Sequence, residues 1–234
     1  MKTILEICQE AADMAATQRP TDLFADDSMN DQIWLSVAKT ELDSLMRYGD
    51  WQELTKGIAI YTSEGQSVYP LASIAPDFYS LLQNTIYVRD RQEKVIGAIT
   101  PEQWAAEKCF KVGDDVKFKI QKDRIVFLNK PEAWRIFLTY RSANIVLDNK
   151  TMEEKTVLTK NNDVPIFDEH IVKLGVLWRW LKRSGLDYTE EFNEYQRELK
   201  KRFGVGLATQ NIPLGGGTFE DMGDIANVIV ASGE

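Results

Sequence analysis

The chain reads as an α+β fold: a helical bundle formed by N-terminal and C-terminal helices, with an inserted antiparallel β domain and an extended C-terminal arm. Three observations predict it. Apolar residues recur at helical spacing near both ends, the period drops to two from about Gly57, and the last 31 residues hold seven of the 14 glycines with a single aromatic, Phe219. The limits drawn from these changes are 1–55 for the N-terminal helices, 56–162 for the β region, 163–203 for the C-terminal helices and 204–234 for the arm. With helical ends and a β middle, the economical architecture packs the ends together and lets the middle project.

The first helix is expected over residues 3–16. Thr3 followed by Glu6 is a capping-box pattern, and Ile4, Cys8, Ala11 and Ala15 share one face. A second begins near Ser28 or Asn30 and runs to about Gly49, with Trp34, Ala38, Leu42 and Leu45 as its apolar stripe. Strand character follows. Ile58 and Ile60 with Val68, Tyr69 and Leu71 flank Ser63-Glu64-Gly65-Gln66 and predict a hairpin. Thr85–Arg89 with Val95–Ile99 predicts a second, and Val116–Ile120 with Ile125–Leu128 a third. Trp134–Tyr140 makes a further strand, and 145–148 pairs with 156–159 as a ribbon. Thr100 as cap and Pro101 at the first helical position start a short helix to Lys108.

After Pro165 the helical period returns. Residues 167–183 are apolar on nearly every side, which predicts a helix surrounded by protein and central to the fold. Gly185 ends it, Asp187 can cap the next, and Tyr188, Phe192, Tyr195, Leu199 and Phe203 form a clean amphipathic stripe stopped by Gly204. The glycine-rich arm cannot build a core of its own. It nevertheless ends in Ile225-Ala226-Asn227-Val228-Ile229-Val230, which a solvated linker would not need, so docking is expected to order it.

Composition narrows the function classes. The 234 residues are 44% hydrophobic with a formal charge of −8, ordinary for a folded domain and unlike a disordered or collagenous chain. The acidity is uneven, with ten acids against four bases in residues 1–50 and seven against ten in 101–150. Such a chain is a poor ligand for duplex DNA. Glu6, Glu10 and Asp13 interrupt any secretion-signal core, and the apolar stretch Ile171–Leu181 is cut by Lys173 and Arg179 and too short to span a bilayer, so no membrane segment is expected. Cys8 and Cys109 match no metal or redox spacing and read as buried free thiols.

No assembled catalytic or metal constellation is legible, and no cofactor is expected. His170 is the only histidine and reads as structural; Asp168 and Glu169 beside it point elsewhere on a helix. The carboxylate pairs Asp26-Asp27, Asp114-Asp115, Glu153-Glu154 and Glu190-Glu191 lack a calcium-loop pattern, and Gly215-Gly216-Gly217 is not followed by the Lys-Ser/Thr of a phosphate loop. Of the six tryptophans, Trp34, Trp134, Trp178 and Trp180 lie in periodic elements and read as core or interface anchors. Trp51 and Trp104 are open to a surface stacking role.

Four blocks in order carry a family likeness: Ile4-Leu5-Glu6-Ile7-Cys8-Gln9-Glu10-Ala11-Ala12, Tyr48-Gly49-Asp50-Trp51-Gln52-Glu53-Leu54, Thr62–Leu71, and Val176–Tyr188 with its Trp178-Arg179-Trp180. Over roughly residues 3–203 the chain resembles the head-to-tail adaptor (connector or tail tubular) proteins of tailed bacteriophages, especially short-tailed ones. The resemblance implies a non-enzymatic virion protein of the neck, a dodecameric homo-oligomeric ring between portal protein and tail nozzle, with tail fibres as a further contact and DNA as a non-specific passenger in the channel. On that reading Trp34, Trp178, Trp180, Tyr188, Phe192 and Tyr195 form the bundle core or ring interface, and the acidic N-terminal part lines or borders the channel. Phe219, Met222, Ile225, Val228 and Ile229, beyond the shared blocks, dock on the portal or on an adjacent subunit. The competing expectation is a receptor- or glycan-binding tail protein whose β domain stacks ligand on Trp51, Trp104 or Tyr79. A packaging or lysis enzyme would have to rely on the lone His170.

Overall fold

The computed structural model describes residues 1–25, 28–82, 84–90, 92–110, 115–128 and 133–204. Over these the chain is a mixed α+β protein with antiparallel sheets. It opens with α1 (Ile4–Met14) and α2 (Met29–Tyr48), and a single 3-10 turn (Gln52–Leu54) leads into β1 (Thr55–Tyr61). Then come β2 (Val68–Pro70), the one-turn α3 (Leu71–Ile74), β3 (Phe78–Leu81), β4 (Tyr87–Val88), β5 (Glu93–Lys94) and α4 (Pro101–Phe110). Strands β6 (Phe118–Gln121), β7 (Arg124–Phe127), β8 (Arg135–Ser142), β9 (Val146–Asp148), β10 (Glu154–Lys155) and β11 (Asp163–Pro165) follow. The chain then returns to helix in α5 (Glu169–Arg183) and α6 (Thr189–Arg202).

The caps form where short polar residues precede apolar periods. Thr3 Oγ1 accepts from the Glu6 amide while the Glu6 carboxylate accepts from the Thr3 amide, closing the capping box of α1. Thr100 and Gln103 do the same for α4. Ser28 accepts from Asp31 at the start of α2, and the Asp187 carboxylate takes the Thr189 amide at the start of α6.

Two apolar clusters organise the molecule. In the first, α5 packs against α1, α2 and α6, burying Ile4, Ile7 and Cys8 with Trp34, Leu42, Val172, Leu177 and Leu199. In the second, Ile60, Val88, Val116, Phe118, Ile125, Phe127, Ile136 and Leu138 fill the space between two small sheets. β8 is central to the larger sheet: β1 pairs along one edge, while β3 and β4 share the other. Its alternation puts Ile136, Leu138, Tyr140 and Ser142 inward. The second sheet is β2-β7-β6, and a third, β10-β9-β11, sits against α1 and the helical cluster.

The first expected hairpin does not form. The turn itself closes, with Gly65 at φ +79° and Gln66 N–H donating to Ser63 C=O, but β1 pairs with β8 and β2 with β7. A seven-residue register that sets Ile58 and Ile60 opposite Leu138 and Ile136 offers far more buried ladder than a three-residue β2 could. The β6–β7 hairpin forms as expected, but the strand that pairs with β4 is Glu93–Lys94 rather than Val95–Ile99, two residues long, and Ile96 instead bridges to Lys117. The ribbon partner of β9 is Glu154–Lys155 rather than 156–159, because the Asp163 carboxylate takes the Thr159 and Lys160 amides and turns that stretch into a loop. Cys8 is buried as expected, whereas Cys109 is exposed at the end of α4; both thiols are free. Among the described residues no helix is long and apolar enough to cross a membrane.

Where the chain passes from helix to sheet, polar contacts tie the clusters together. Arg141 of β8 donates to the Gly49 carbonyl and pairs with Asp50 at 3.2 Å. Asp77 accepts from Lys56, Tyr140 and Ser142, each at 2.7 Å. Burial pushes the Asp77 carboxyl up, but those three hydrogen bonds outweigh it and hold it at about 2.

Candidate functional site

The surroundings of α5 bring together most of the residues singled out from sequence. Asp168 caps the helix by accepting from the His170 and Ile171 amides. Because the helix is apolar on nearly every side, it needs neighbours all round, and it has them in α1, α2 and α6. Gly185, at φ +72°, ends it in a left-handed conformation that suits glycine and turns the chain back into α6.

Aromatic side chains fill the contacts. Trp34 of α2 stacks on Trp180 of α5 with centroids 5.1 Å apart and planes 7° from parallel. Trp178 faces α6: Phe192 meets it edge-on at 5.0 Å, with Tyr195 at 6.0 Å and Tyr188 at 6.1 Å. Trp34, Trp178, Trp180 and Tyr195 are buried, and Tyr188 and Phe192 are half-buried against the same cluster. The indole N–H groups of Trp34 and Trp178 are buried without a hydrogen-bond partner among the described residues.

Within this apolar cluster lies a polar centre that sequence reasoning missed. Glu41 of α2 is 0% exposed; its carboxylate accepts from Arg179 Nε at 2.6 Å and from the Tyr195 hydroxyl at 2.7 Å. Three helices thus meet on one buried acid. Gly175 of α5 makes room for it: a Cβ there would lie 2.1 Å from the Glu41 carboxyl carbon and from one of its oxygens. Burial raises the Glu41 pKa above the usual carboxylate range, with Arg179 and Tyr195 offsetting only part of the effect. Burial, and then the adjacent Glu41 charge, push the Tyr195 phenol up. The available signal was a charge on an apolar stripe: Glu41 lies seven positions after Trp34 and three after Ala38, between residues assigned to the core.

The remaining candidates are dispersed. His170 is exposed, and lines a cleft of about 550 Å³ with Lys2, Glu10, Glu53, Lys173 and Arg202. The charges in that cleft satisfy one another: Lys2 and Lys173 hold Glu10, and Arg202 holds Glu53. Trp51 is not a surface platform. It is 1% exposed, edge-on to Phe167 and Phe203, with its N–H donating to Leu45 C=O at 2.7 Å. Trp104 is also buried, with the Lys119 ammonium 4.3 Å from its ring centre; Tyr79 is exposed beneath the Arg141 guanidinium. Phe219, Met222, Ile225, Val228 and Ile229 lie outside the described residues.

These side chains pack against one another around the buried Glu41. No protein-family model matches the chain, and no curated protein matches it significantly.

Proposed function

We propose that the chain is a structural subunit of a phage virion, a head-to-tail adaptor whose copies, twelve on this reading, form a ring between portal and tail nozzle through which DNA passes. It acts without catalysis or cofactor. The finer architecture belongs to the same proposal: a bundle of the N- and C-terminal helices holds the portal side, the inserted antiparallel β domain faces the nozzle and fibres, and the C-terminal arm docks on the portal or an adjacent subunit.

The observation that supports it is the helical core drawn from both ends of the chain around α5, with the β strands spliced between, together with the four family-like blocks. Three of those blocks supply that core: Ile4–Ala12 contributes α1, Tyr48–Leu54 the Trp51 junction, and Val176–Tyr188 the Trp178 and Trp180 faces. A subunit that transmits load between two larger assemblies needs a stiff centre, and three helices clamped on one buried carboxylate provide it.

Electron microscopy of the protein mixed with portal rings from its own virion tests the proposal. The expected result is a twelve-fold collar of added density below the portal. Portal rings left bare, or protein found only as trimers on receptor-like material, would overturn it. One observation favours the glycan- or receptor-binding alternative, through residues other than Trp51, Trp104 and Tyr79. Tyr87 and Phe137 face each other across β4 and β8 and are 46% and 45% exposed, with Tyr61 on the same face of β1. A glycan array read against Phe137→Ala separates the two.

A further inference from the structure

A shallow groove of about 360 Å³ runs between α2 and the last turn of α5. Its walls carry Lys182, Arg183 and the outer side of Arg179, the hydroxyls of Ser36 and Thr40, and the Trp178 ring. In a chain of charge −8, this is a concentrated basic site. Arg179 is committed to Glu41, but Lys182 and Arg183 have no carboxylate partner among the described residues; Arg183 donates only to Ser36 Oγ at 3.2 Å. Such a set of donors and cations beside an aromatic ring fits a ligand that alternates carboxylates with apolar side chains.

The chain itself contains that ligand. Residues 205–234 hold four acids and no base, so a tail of 30 residues carries half of the net charge. Three of the four acids fall in Phe219-Glu220-Asp221-Met222-Gly223-Asp224-Ile225, interleaved with Phe219, Met222 and Ile225. The tether has the right length. α6 doubles back along α5, so its end at Gly204 is separated from the groove by about one helix length, ~21 Å for 14 residues. Fourteen residues separate Gly204 from Phe219, Gly206 and Gly215-Gly216-Gly217 among them, and the root-mean-square reach expected for a Gly-rich sequence of that length is ~20 Å. At that match the local concentration of the segment is on the order of millimolar.

We propose that residues 219–225 seat in the α2/α5 groove of their own chain, with Glu220, Asp221 and Asp224 on Lys182 and Arg183 and the apolar side chains against Trp178 and Val37. This stands on charge and tether length alone and does not require the ring.

Carbodiimide coupling on the full-length free protein tests it, since the reagent joins an amine to a carboxylate only where the two are in contact. Equal parts of isotopically labelled and unlabelled chain distinguish coupling within a chain from coupling between chains. The expected result is Lys182 joined to Glu220, Asp221 or Asp224 within one chain, at a yield falling at least fivefold between 0.05 and 0.5 M NaCl. K182E with R183E abolishes it, and adding E220K with D221K to that background restores coupling between the two sites. All four positions are surface or tail residues, and an unchanged far-UV spectrum certifies the fold. Coupling of tail carboxylates equally to Lys200, Lys201 and other surface lysines, coupling found only between chains, or no tail coupling to Lys182 would each overturn the proposal.

Discussion

Replacing Arg179 with Met removes the cation from a carboxylate that stays buried. Glu41 keeps its 2.7 Å hydrogen bond from Tyr195 but loses the 2.6 Å bond from Arg179, and with 0% exposure it has no water to turn to. Breaking a buried pair on one side costs about 3–5 kcal/mol. For a chain of this size that corresponds to a fall in Tm of roughly 6–20 °C. The pH dependence identifies the cause. The folded-state pKa of Glu41 already lies above its ordinary value of 4.5, so the folded protein binds this proton more tightly than the unfolded chain does. Its contribution to stability is therefore fullest below about 4.5 and is lost as pH rises through the folded pKa, with a slope of up to ~1.4 kcal/mol per pH unit. Arg179→Met moves that folded pKa further up and extends the loss to higher pH. Urea unfolding followed by far-UV circular dichroism at pH 5 and pH 8 should show the variant much closer to wild type at pH 5. Equal losses at both pH values, or a loss under about 1 kcal/mol at pH 8, would refute the reasoning, because either would mean that Glu41 is not held as a buried charge.

Two further perturbations follow from the same geometry. Trp180→Ala removes the partner stacked on Trp34 and leaves a cavity at the meeting of α2 and α5; thermal melts should show a loss of about 3–5 kcal/mol, and a loss below 1 would place the ring outside the core. Asp77→Asn weakens the tie among Lys56, Tyr140 and Ser142. Because the Asp77 carboxyl is held at about 2, against an ordinary 3.8, its stabilisation is present above about pH 4 and disappears as pH falls toward 2. The shift corresponds to about 2 kcal/mol, so acid titration of the variant should be flatter over that window, and an unchanged acid profile would discount the tie.

What could be read from sequence was what local chemistry decides. The Thr3/Glu6 box, the Thr100-Pro101 start and the Gly185 stop act within a few residues, and each forms where its side chains place it. The helix over 169–183 was legible because an element apolar on all sides has one stable setting, among other elements. Strand pairing was less legible, since Ile58 and Ile60 suit any buried partner and only the competition between β2 and the longer β8 decides. The buried Glu41 was missed for a related reason. Its partners Arg179 and Tyr195 lie 138 and 154 positions away, and only the folded chain brings them within reach. Trp51 shows the opposite error: a tryptophan with no periodic neighbours looked free, yet Phe167 and Phe203 close over it from the far end of the chain.

That separation also orders events on the ribosome. About 120 residues lie between the end of α2 and the start of α5, so at ~5–20 residues per second the apolar stripes of α1 and α2 emerge roughly 6–24 s before the helix that covers them. The strands between, with all their ladder partners already made, can zip in that interval. Synthesis therefore leaves Trp34 and Glu41 waiting for their lid, and the nascent molecule is sealed last at the place where its first helices were laid down.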